Sequence, residues 1–163
     1  MKHVAIIDLG TNTFHLLITE INGTVGPGNI CKKTIPVKLG HNGINQGVIH
    51  ADAFLRGIKA LENFHQLIIQ HGVKQVKAMA TAAIRNASNG DEFIAEVKKK
   101  TGIKIEMIDG ETEARLIYAG VREAVKLGTE TGLIMDIGGG SVEFIICNST
   151  KIFWKRSFPL GAA

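Results

Sequence analysis

Two stretches of this chain can be laid on one another, and they decide its fold: Ile7-Asp8-Leu9-Gly10-Thr11-Asn12-Thr13-Phe14-His15-Leu16-Leu17-Ile18 and Met135-Asp136-Ile137-Gly138-Gly139-Gly140-Ser141-Val142-Glu143-Phe144-Ile145-Ile146. In each copy an Asp is followed two positions later by a Gly, and a hydroxyl residue, Thr13 or Ser141, precedes a second apolar run. Each copy therefore predicts a strand, a tight Asp-x-Gly corner and a second strand. A repeat of this kind predicts two lobes built from the same unit.

Each corner has the chemistry of a phosphate-binding loop. Glycine allows the backbone to aim successive N–H groups into one concavity, which suits a phosphate, and neighbouring hydroxyl and amide side chains add neutral donors. Asp8 and Asp136, at the strand ends, offer hard oxygen ligands suited to Mg²⁺. The candidate phosphate-binding residues are Gly10, Thr11, Asn12, Thr13, Gly138, Gly139, Gly140 and Ser141.

Ordinary glycine-rich hairpin turns are the alternative for these corners, and the agreement of two copies favours phosphate binding. The second copy leads into a strand rather than a helix and lacks the Lys of a P-loop. It also lacks a Gly-x-Gly-x-x-Gly that opens a helix, which disfavours a dinucleotide-binding fold.

Outward from the first copy, strand and helix signals alternate. Three strands with short connections, followed by helices alternating with strands, predict a mixed α/β layer fold. The first lobe is expected over 1–128, and 129–163 is expected to open a second lobe that the chain does not complete. The expected strands of the first lobe cover 4–8, 14–21, 30–39, 75–80 and 104–108, and its expected helices cover 54–68, 91–100 and 111–127.

Composition and charge disfavour several other classes of protein. The 163 residues carry a formal charge of +4, a mild excess that favours anionic ligands. One Trp and one Tyr are too few for a base-stacking platform, so a nucleic-acid partner is not expected. No apolar run approaches the roughly 20 residues of a membrane span, and the first run breaks at Asp8, unlike a secretory signal. Cys31 and Cys147 stand alone, which is typical of thiols in a reducing compartment, so a cytoplasmic protein is expected.

Six motifs spread along the chain resemble those of the exopolyphosphatase/guanosine pentaphosphate phosphohydrolase (Ppx/GppA) family. The family belongs to the actin/sugar-kinase/Hsp70 superfamily, so the resemblance implies two ribonuclease H-like lobes around a cleft. It also implies Mg²⁺-dependent hydrolysis of the terminal phosphoanhydride of polyphosphate or of guanosine pentaphosphate (pppGpp). The motifs are Asp8-Leu9-Gly10-Thr11-Asn12-Thr13-Phe14, Ala80-Thr81-Ala82-Ala83-Ile84-Arg85, Asn89-Gly90-Asp91-Glu92-Phe93, Gly110-Glu111-Thr112-Glu113-Ala114-Arg115, Asp136-Ile137-Gly138-Gly139-Gly140-Ser141-Val142-Glu143 and Leu160-Gly161.

The resemblance also implies roles for individual residues. Glu111 matches the carboxylate that orients or deprotonates the attacking water, and Arg85 matches the guanidinium that stabilises charge on the transferred phosphoryl group. Glu113 is expected to face elsewhere on its helix, solvated or paired with a neighbour. Lys38 stands where family members often carry Arg, which keeps the charge but loses the bidentate geometry. The acidic residues expected to hold Mg²⁺ and order water are Asp8, Asp136 and Glu143.

The predicted function is a polyphosphatase or a pppGpp phosphohydrolase, and the residues do not choose between these substrates. A phosphotransferase of the same superfamily, such as a sugar or acetate kinase, is the enzymatic alternative. A non-catalytic nucleotide or polyphosphate sensor, or an actin-like assembly subunit, is the alternative from another class. Without a complete second lobe, weak binding or turnover is expected, and the hairpin over 134–157 is expected to pack on the first lobe or on a second copy in a homodimer.

Overall fold

The computed structural model describes residues 2–22, 25–41 and 43–163, and a five-stranded mixed sheet organises its N-terminal part. The strands lie in the order β3-β2-β1-β4-β5, with β1 antiparallel to β2 and parallel to β4. An antiparallel meander is thus extended by parallel strands, which confirms the predicted mixed α/β fold. The strands are β1 (Lys2–Leu9), β2 (Thr13–Asn22), β3 (Val25–Pro36), β4 (Gln75–Ala80) and β5 (Ile105–Met107).

Helices α1 and α3 pack together, and with the first sheet they enclose the main core. The apolar residues of α1 recur at helical spacing and form one buried face, on which Leu61 and Phe64 are fully buried. Gly57 of α1 allows α3 to approach closely, because a Cβ there would lie 2.8 Å from the Phe93 ring. Among the described residues no helix is long and apolar enough to cross a membrane. The helices are α1 (Ala51–Gln70), α2 (Ala82–Arg85), α3 (Gly90–Thr101) and α4 (Gly110–Ala124).

The strand expected over 30–39 ends at Pro36, because the next four N–H groups bond the first Asp-x-Gly corner instead of continuing the sheet. The first two of these N–H groups donate to the carbonyl oxygen of Asn12, and the next two donate to that of Thr11. Lys38 lies in this loop with a φ of 48°, a left-handed conformation that is uncommon for a residue other than glycine. The loop after β3 therefore supports the corner from outside.

A second, antiparallel sheet follows α4, and its strands are β6 (Gly132–Ile137), β7 (Val142–Cys147) and β8 (Ile152–Phe158). Helix α4, which the sequence places in the first lobe, packs on β7 and β8. The opposite face of this sheet exposes apolar side chains. The shared core contains Ala114, Tyr118, Ile145 and Cys147, and the exposed apolar residues include Leu133, Met135, Ile137 and Trp154.

Candidate active site

The two Asp-x-Gly corners have the same backbone turn. The N–H of Gly10 donates to the carbonyl oxygen of Thr13 at 3.1 Å, and that of Gly138 donates to the carbonyl oxygen of Ser141 at 2.9 Å. A Cβ on either glycine would lie 3.0 Å from the same carbonyl oxygen, so a side chain there would force each turn to shift by a few tenths of an ångström. The repeat in the sequence is therefore also a repeat in three dimensions.

The two corners also lie against each other. A Cβ on Gly139 would lie 2.9 Å from Thr11 Cβ and 2.9 Å from Asn12 Nδ2. The structure thus brings the residues predicted to bind phosphate into one place. Thr11 and Ser141 are 5% and 3% exposed and fill the junction, whereas Asn12 is exposed and Thr13 is half-buried. The accessible donors are accordingly backbone N–H groups and the side chains of Asn12 and Thr13.

The segment 160–163 lies along the second corner. The N–H groups of Ala162 and Ala163 donate to the carbonyl oxygens of Gly138 and Gly139, each at 3.0 Å. A Cβ on Gly161 would overlap the Gly139 carbonyl oxygen, which explains why the Leu-Gly motif contains a glycine. A cleft of about 360 Å³ opens beside this contact, with lining residues that include Gly40, Asn86, Gly139, Gly140 and Leu160.

Asp8, at the end of β1, faces Asp136 of the second corner. Burial in the surrounding protein raises the pKa of Asp8, the nearby His15 lowers it, and repulsion from Asp136 raises it again. The Asp8 carboxyl nevertheless retains an open, solvent-accessible side. The ends of the two equivalent strands therefore place two acidic groups within range of each other's charge.

Glu143 is the most deeply buried of the predicted acidic residues, with 1% of its surface exposed. It is paired across the sheet with Asp136 on β6 and with Ser157 on β8. The Ser157 hydroxyl donates to Glu143 Oε1 at 2.7 Å. A carboxylate removed from water needs such a donor, because burial without one is costly.

Glu113 adjoins this acidic group. It faces a different side of α4 from Glu111 and is paired with a neighbouring residue, Arg85, which is one of the two expected alternatives. Arg85 Nη1 lies 3.1 Å from Glu113 Oε2, and the same nitrogen donates to the Ile108 carbonyl oxygen at 2.8 Å. Burial raises the pKa of Glu113, the hydrogen bond from Arg85 lowers it, and the charges of Glu143 and Asp8 raise it. The side chains of Arg85 and Glu113 are 21% and 17% exposed, so the pair is half-buried.

Helical spacing accounts for this orientation of Glu113 once the buried face of α4 is known. Glu113 lies one turn before Ile117, which packs on the second core, and it adjoins the buried Ala114. Residues four apart share a helix face, so Glu113 lies at the margin of the buried stripe. The burial of Glu113 therefore follows from helical phase, once the buried face of α4 is known.

Glu111 lies outside this group. It is exposed and forms an ion pair with Lys155 of β8. Two residues earlier, the Asp109 carboxylate caps α4 by accepting the N–H of Thr112 at 2.6 Å, and this hydrogen bond lowers the pKa of Asp109. The catalytic role of Glu111 stays a prediction, and the geometry favours Glu113 for that role.

The donor set at the junction fits a hydrated divalent cation better than a closed metal site. Among the described residues no three His, Cys, Asp or Glu side chains are grouped closely enough to hold a metal ion, so the expected trio of Asp8, Asp136 and Glu143 does not form a ready-made site. Mg²⁺ commonly takes one or two carboxylates and fills its other positions with water and substrate phosphate. The facing pair of Asp8 and Asp136 meets that requirement, and a cation would relieve their repulsion.

Comparison with known proteins shows that the chain is similar to members of a phosphatase family. The model of the Ppx/GppA phosphatase family matches residues 17–163. An exopolyphosphatase from Cytophaga hutchinsonii is 44% identical, with a TM-score of 0.95 over 98% of this chain and 51% of its own chain. The PPX-GPPA enzyme of Aquifex aeolicus is 32% identical, with a TM-score of 0.84 over 98% of this chain and 53% of its own. This chain therefore spans about half the length of these relatives.

More distant proteins share only the fold. The ethanolamine utilization protein EutJ from Carboxydothermus hydrogenoformans is 17% identical, with a TM-score of 0.54 over 99% of this chain and 53% of its own. Together with the nearer structures, this likeness confirms the predicted fold of the actin/sugar-kinase/Hsp70 superfamily. Chemistry has to be argued from the site, because this fold carries several unrelated functions.

Proposed function

The chain belongs to the Ppx/GppA phosphatase family, and from that premise we propose that it takes part in hydrolysing the terminal phosphoanhydride bond of a polyphosphorylated substrate. Inorganic polyphosphate is the substrate that we favour, since the C. hutchinsonii relative is an exopolyphosphatase. The observation that carries the proposal is the contact between two glycine corners beside the Arg85–Glu113 pair. The charge of Asp8, beside the first corner, raises the pKa of Glu113, so a partly buried carboxylate lies within electrostatic range of the phosphate donors.

The two corners bind the terminal phosphate. Backbone N–H groups held in fixed turns need no reorganisation when negative charge develops on the phosphoryl oxygens, so their stabilisation is available in the transition state. Asn12 and Thr13 add side-chain donors at the accessible edge of the junction. Catalysis of phosphoryl transfer depends mainly on such positioning and charge stabilisation.

Glu113 acts as the general base for the attacking water. A P–O bond forms between the water oxygen and the terminal phosphorus, the bridging P–O bond breaks, and the shortened substrate departs with the bonding electron pair. Glu113 takes the water proton, and its raised pKa makes it a stronger base than an ordinary glutamate. Arg85 holds Glu113 in place and supplies a planar cation to the phosphoryl oxygens.

Mg²⁺ is the cofactor that we propose for this site, with Asp8 and Asp136 as the residues that would hold it. When bound, the ion neutralises phosphate charge and orders water. Glu143, which Ser157 holds within the sheet, contributes negative charge to the same region. The two aspartates also keep the site unfavourable for anions until a cation has bound.

A wide cavity continues from the first corner and gives a long polyanion room. It measures about 850 Å³, and Asn12, Thr13, Lys38 and His41 are among the residues that line it. The Lys38 ammonium supplies a cation on a flexible stem at a point where the next phosphates of a chain would lie. A linear polyphosphate fits such a cavity without any contact to a base.

The experiment is a measurement of Mg²⁺-dependent phosphate release from polyphosphate and from pppGpp, on the wild type and on Glu113→Gln and Glu111→Gln. We expect Glu113→Gln to lower kcat by about 10²–10⁴-fold, because a general base contributes that much. Glu111→Gln makes the same carboxylate-to-amide change on the same turn of α4. Its kcat is expected to stay within about threefold of the wild-type value.

Each other outcome contradicts a definite part of the proposal. A large loss in Glu111→Gln with little loss in Glu113→Gln would return the role of base to Glu111. Tight Mg²⁺-dependent binding of polyphosphate without release would indicate a sensor. Phosphate release from pppGpp but not from polyphosphate would identify pppGpp as the substrate in place of polyphosphate.

A further inference from the structure

Beside each of the two corners, a row of three side chains from neighbouring strands crosses the sheet, and the two rows are alike. On both sheets the aspartate just before the last residue of the first strand is paired with a residue on the second strand. That residue is in turn paired with a hydroxyl residue on the third strand. Directly paired residues share one face of a sheet. In the first meander (β1–β3) the row is Asp8, His15 and Thr34, and in the second meander (β6–β8) it is Asp136, Glu143 and Ser157.

The hydroxyl residue bonds the middle residue in both rows. Thr34 Oγ1 lies 3.0 Å from His15 Nδ1, and Ser157 Oγ lies 2.7 Å from Glu143 Oε1. Two independent copies of the same relation indicate that the third strand of each meander orients the side chain of the second. The copy in the second meander is the stronger one, because Glu143 is fully buried, and a hydrogen bond to a charged group is worth more than one between neutral groups.

We propose that Ser157 is a positioning residue of this site. It holds the Glu143 carboxylate through Oε1 and leaves Oε2 available to the site that Asp8, Asp136 and Glu113 surround. This inference rests on the proposed function and deepens it. Ser157 Oγ has one proton to donate, and that proton is committed to Oε1. The orientation of a buried carboxylate is set by such a partner, as it is for the ligands of metal sites.

Ser157 also sets the position of α4 relative to the second sheet. A Cβ on Gly110 would overlap Ser157 Cβ and lie 2.6 Å from its Oγ, so the helix begins directly against this serine. Glu113 lies in the first turns of the same helix, and the charge of Glu143 raises the pKa of Glu113. Ser157 therefore contacts both the strand that carries Glu143 and the helix that carries Glu113.

The test is a double-mutant cycle with Ser157→Ala, Glu143→Gln and the double variant, measured by kcat and KM for phosphate release and by urea unfolding. We expect Ser157→Ala to lower kcat about tenfold with KM changed less than about twofold, as is typical for a partner that orients a site residue. In the Glu143→Gln background the same change is expected to have no further effect on kcat. Ser149→Ala, in the turn at the far end of the β7–β8 hairpin, is the control and should match wild type.

A crystal structure of Ser157→Ala separates failure of this inference from failure of the proposed function. If the wild type releases no phosphate from either substrate, the proposed function fails, and the structure of the variant still shows whether Glu143 has moved. A Glu143 carboxylate that keeps its place without Ser157 overturns the inference. Equal losses of kcat from Ser157→Ala in the wild-type and Glu143→Gln backgrounds overturn it as well.

Discussion

The first and second meanders have the same corner but different surroundings. Each corner is closed by the same hydrogen bond from its glycine, and in each the last residue but one of the first strand is an aspartate. The first meander contributes fully buried residues such as Leu16 to a core shared with α1 and α3. The second meander packs one face on α4 and leaves apolar residues such as Leu133 and Ile137 exposed on the other.

This difference shows that the corner and the sheet behind it are stabilised by different interactions. The turn depends on a glycine and on strand register, which are local, so the second meander forms it with a core of a few residues. Burial of a sheet face depends on the elements that cover it, and α1 and α3 cover the face of the first meander that carries Leu16. The binding chemistry of the corner is therefore less dependent on the surrounding core than is the stability of the sheet behind it.

Truncating one core residue in each meander gives the largest expected effect. Leu16→Ala and Ile145→Ala both remove a fully buried side chain, and each should lower the free energy of unfolding by about 2–5 kcal/mol. Leu16 lies in the large core, so its truncation should lower the stability of the whole chain. Ile145 lies in the small core with Ala114, Tyr118 and Cys147, so its truncation should act locally. Urea unfolding and amide hydrogen exchange measure the two effects.

The exchange pattern is what tests the comparison. In Ile145→Ala, we expect the amides of β7 to lose protection while those of β1 keep it, because local opening depends on the local core. Equal loss of protection in both meanders would show that they unfold as one unit. Leu55→Ala is the control, since Leu55 is 67% exposed and should leave both cores unchanged.

Gly139→Ala separates the contact between the corners from the folding of either corner. The added Cβ would meet Thr11 and Asn12 at 2.9 Å, so the corners must move apart by a few tenths of an ångström. We expect kcat/KM for phosphate release to fall by roughly 10–100-fold, since a small misplacement of binding groups has that scale of effect, while Tm changes little.

Gly120→Ala is the matched control for this change. Nothing lies within 4 Å of a Cβ on Gly120, and alanine is the better helix former, so α4 should gain up to about 1 kcal/mol. Its activity should equal that of wild type. Full activity in Gly139→Ala would mean that the two corners do not bind the same phosphate.

The sequence predicts the order of the strands and helices and the two glycine corners, and it misses features that depend on long-range packing. The repeat, the strand and helix order and the glycine corners follow from local patterns, which is why they are confirmed. The end of β3 at Pro36 depends on N–H groups that bond Asn12 and Thr11, and no local pattern contains that competition. The burial of Glu113 depends on which face of α4 meets the second sheet, which is known only from the packing.

The smallest expected effect concerns the charges that face each other across the meanders. The pKa of Asp8 is raised mainly by burial, so the folded protein binds a proton more tightly than the unfolded chain. Between the ordinary carboxyl pKa, about 4, and the raised one, the unfolding free energy therefore falls as pH rises, and the loss persists at neutral pH. Asp8→Asn removes this loss and should raise Tm by about 1–3 °C at pH 7.

The pH dependence shows whether the effect comes from the carboxylate. The gain from Asp8→Asn should shrink as pH falls from the raised pKa of Asp8 towards about 4, and it should be absent below that, where Asp8 is protonated in both the folded and the unfolded state. Asp136→Asn should give a smaller gain in the same direction, because its repulsion is the last of the three causes that shift the pKa of Asp8. Thermal unfolding at pH 3.5 and pH 7, with and without Mg²⁺, measures both variants. If Mg²⁺ stabilises the wild type but neither variant, the two aspartates oppose folding through the same charges that bind the cation. If Asp8→Asn instead lowers Tm at pH 7, the Asp8 carboxyl has a structural role and the two meanders do not share a cation.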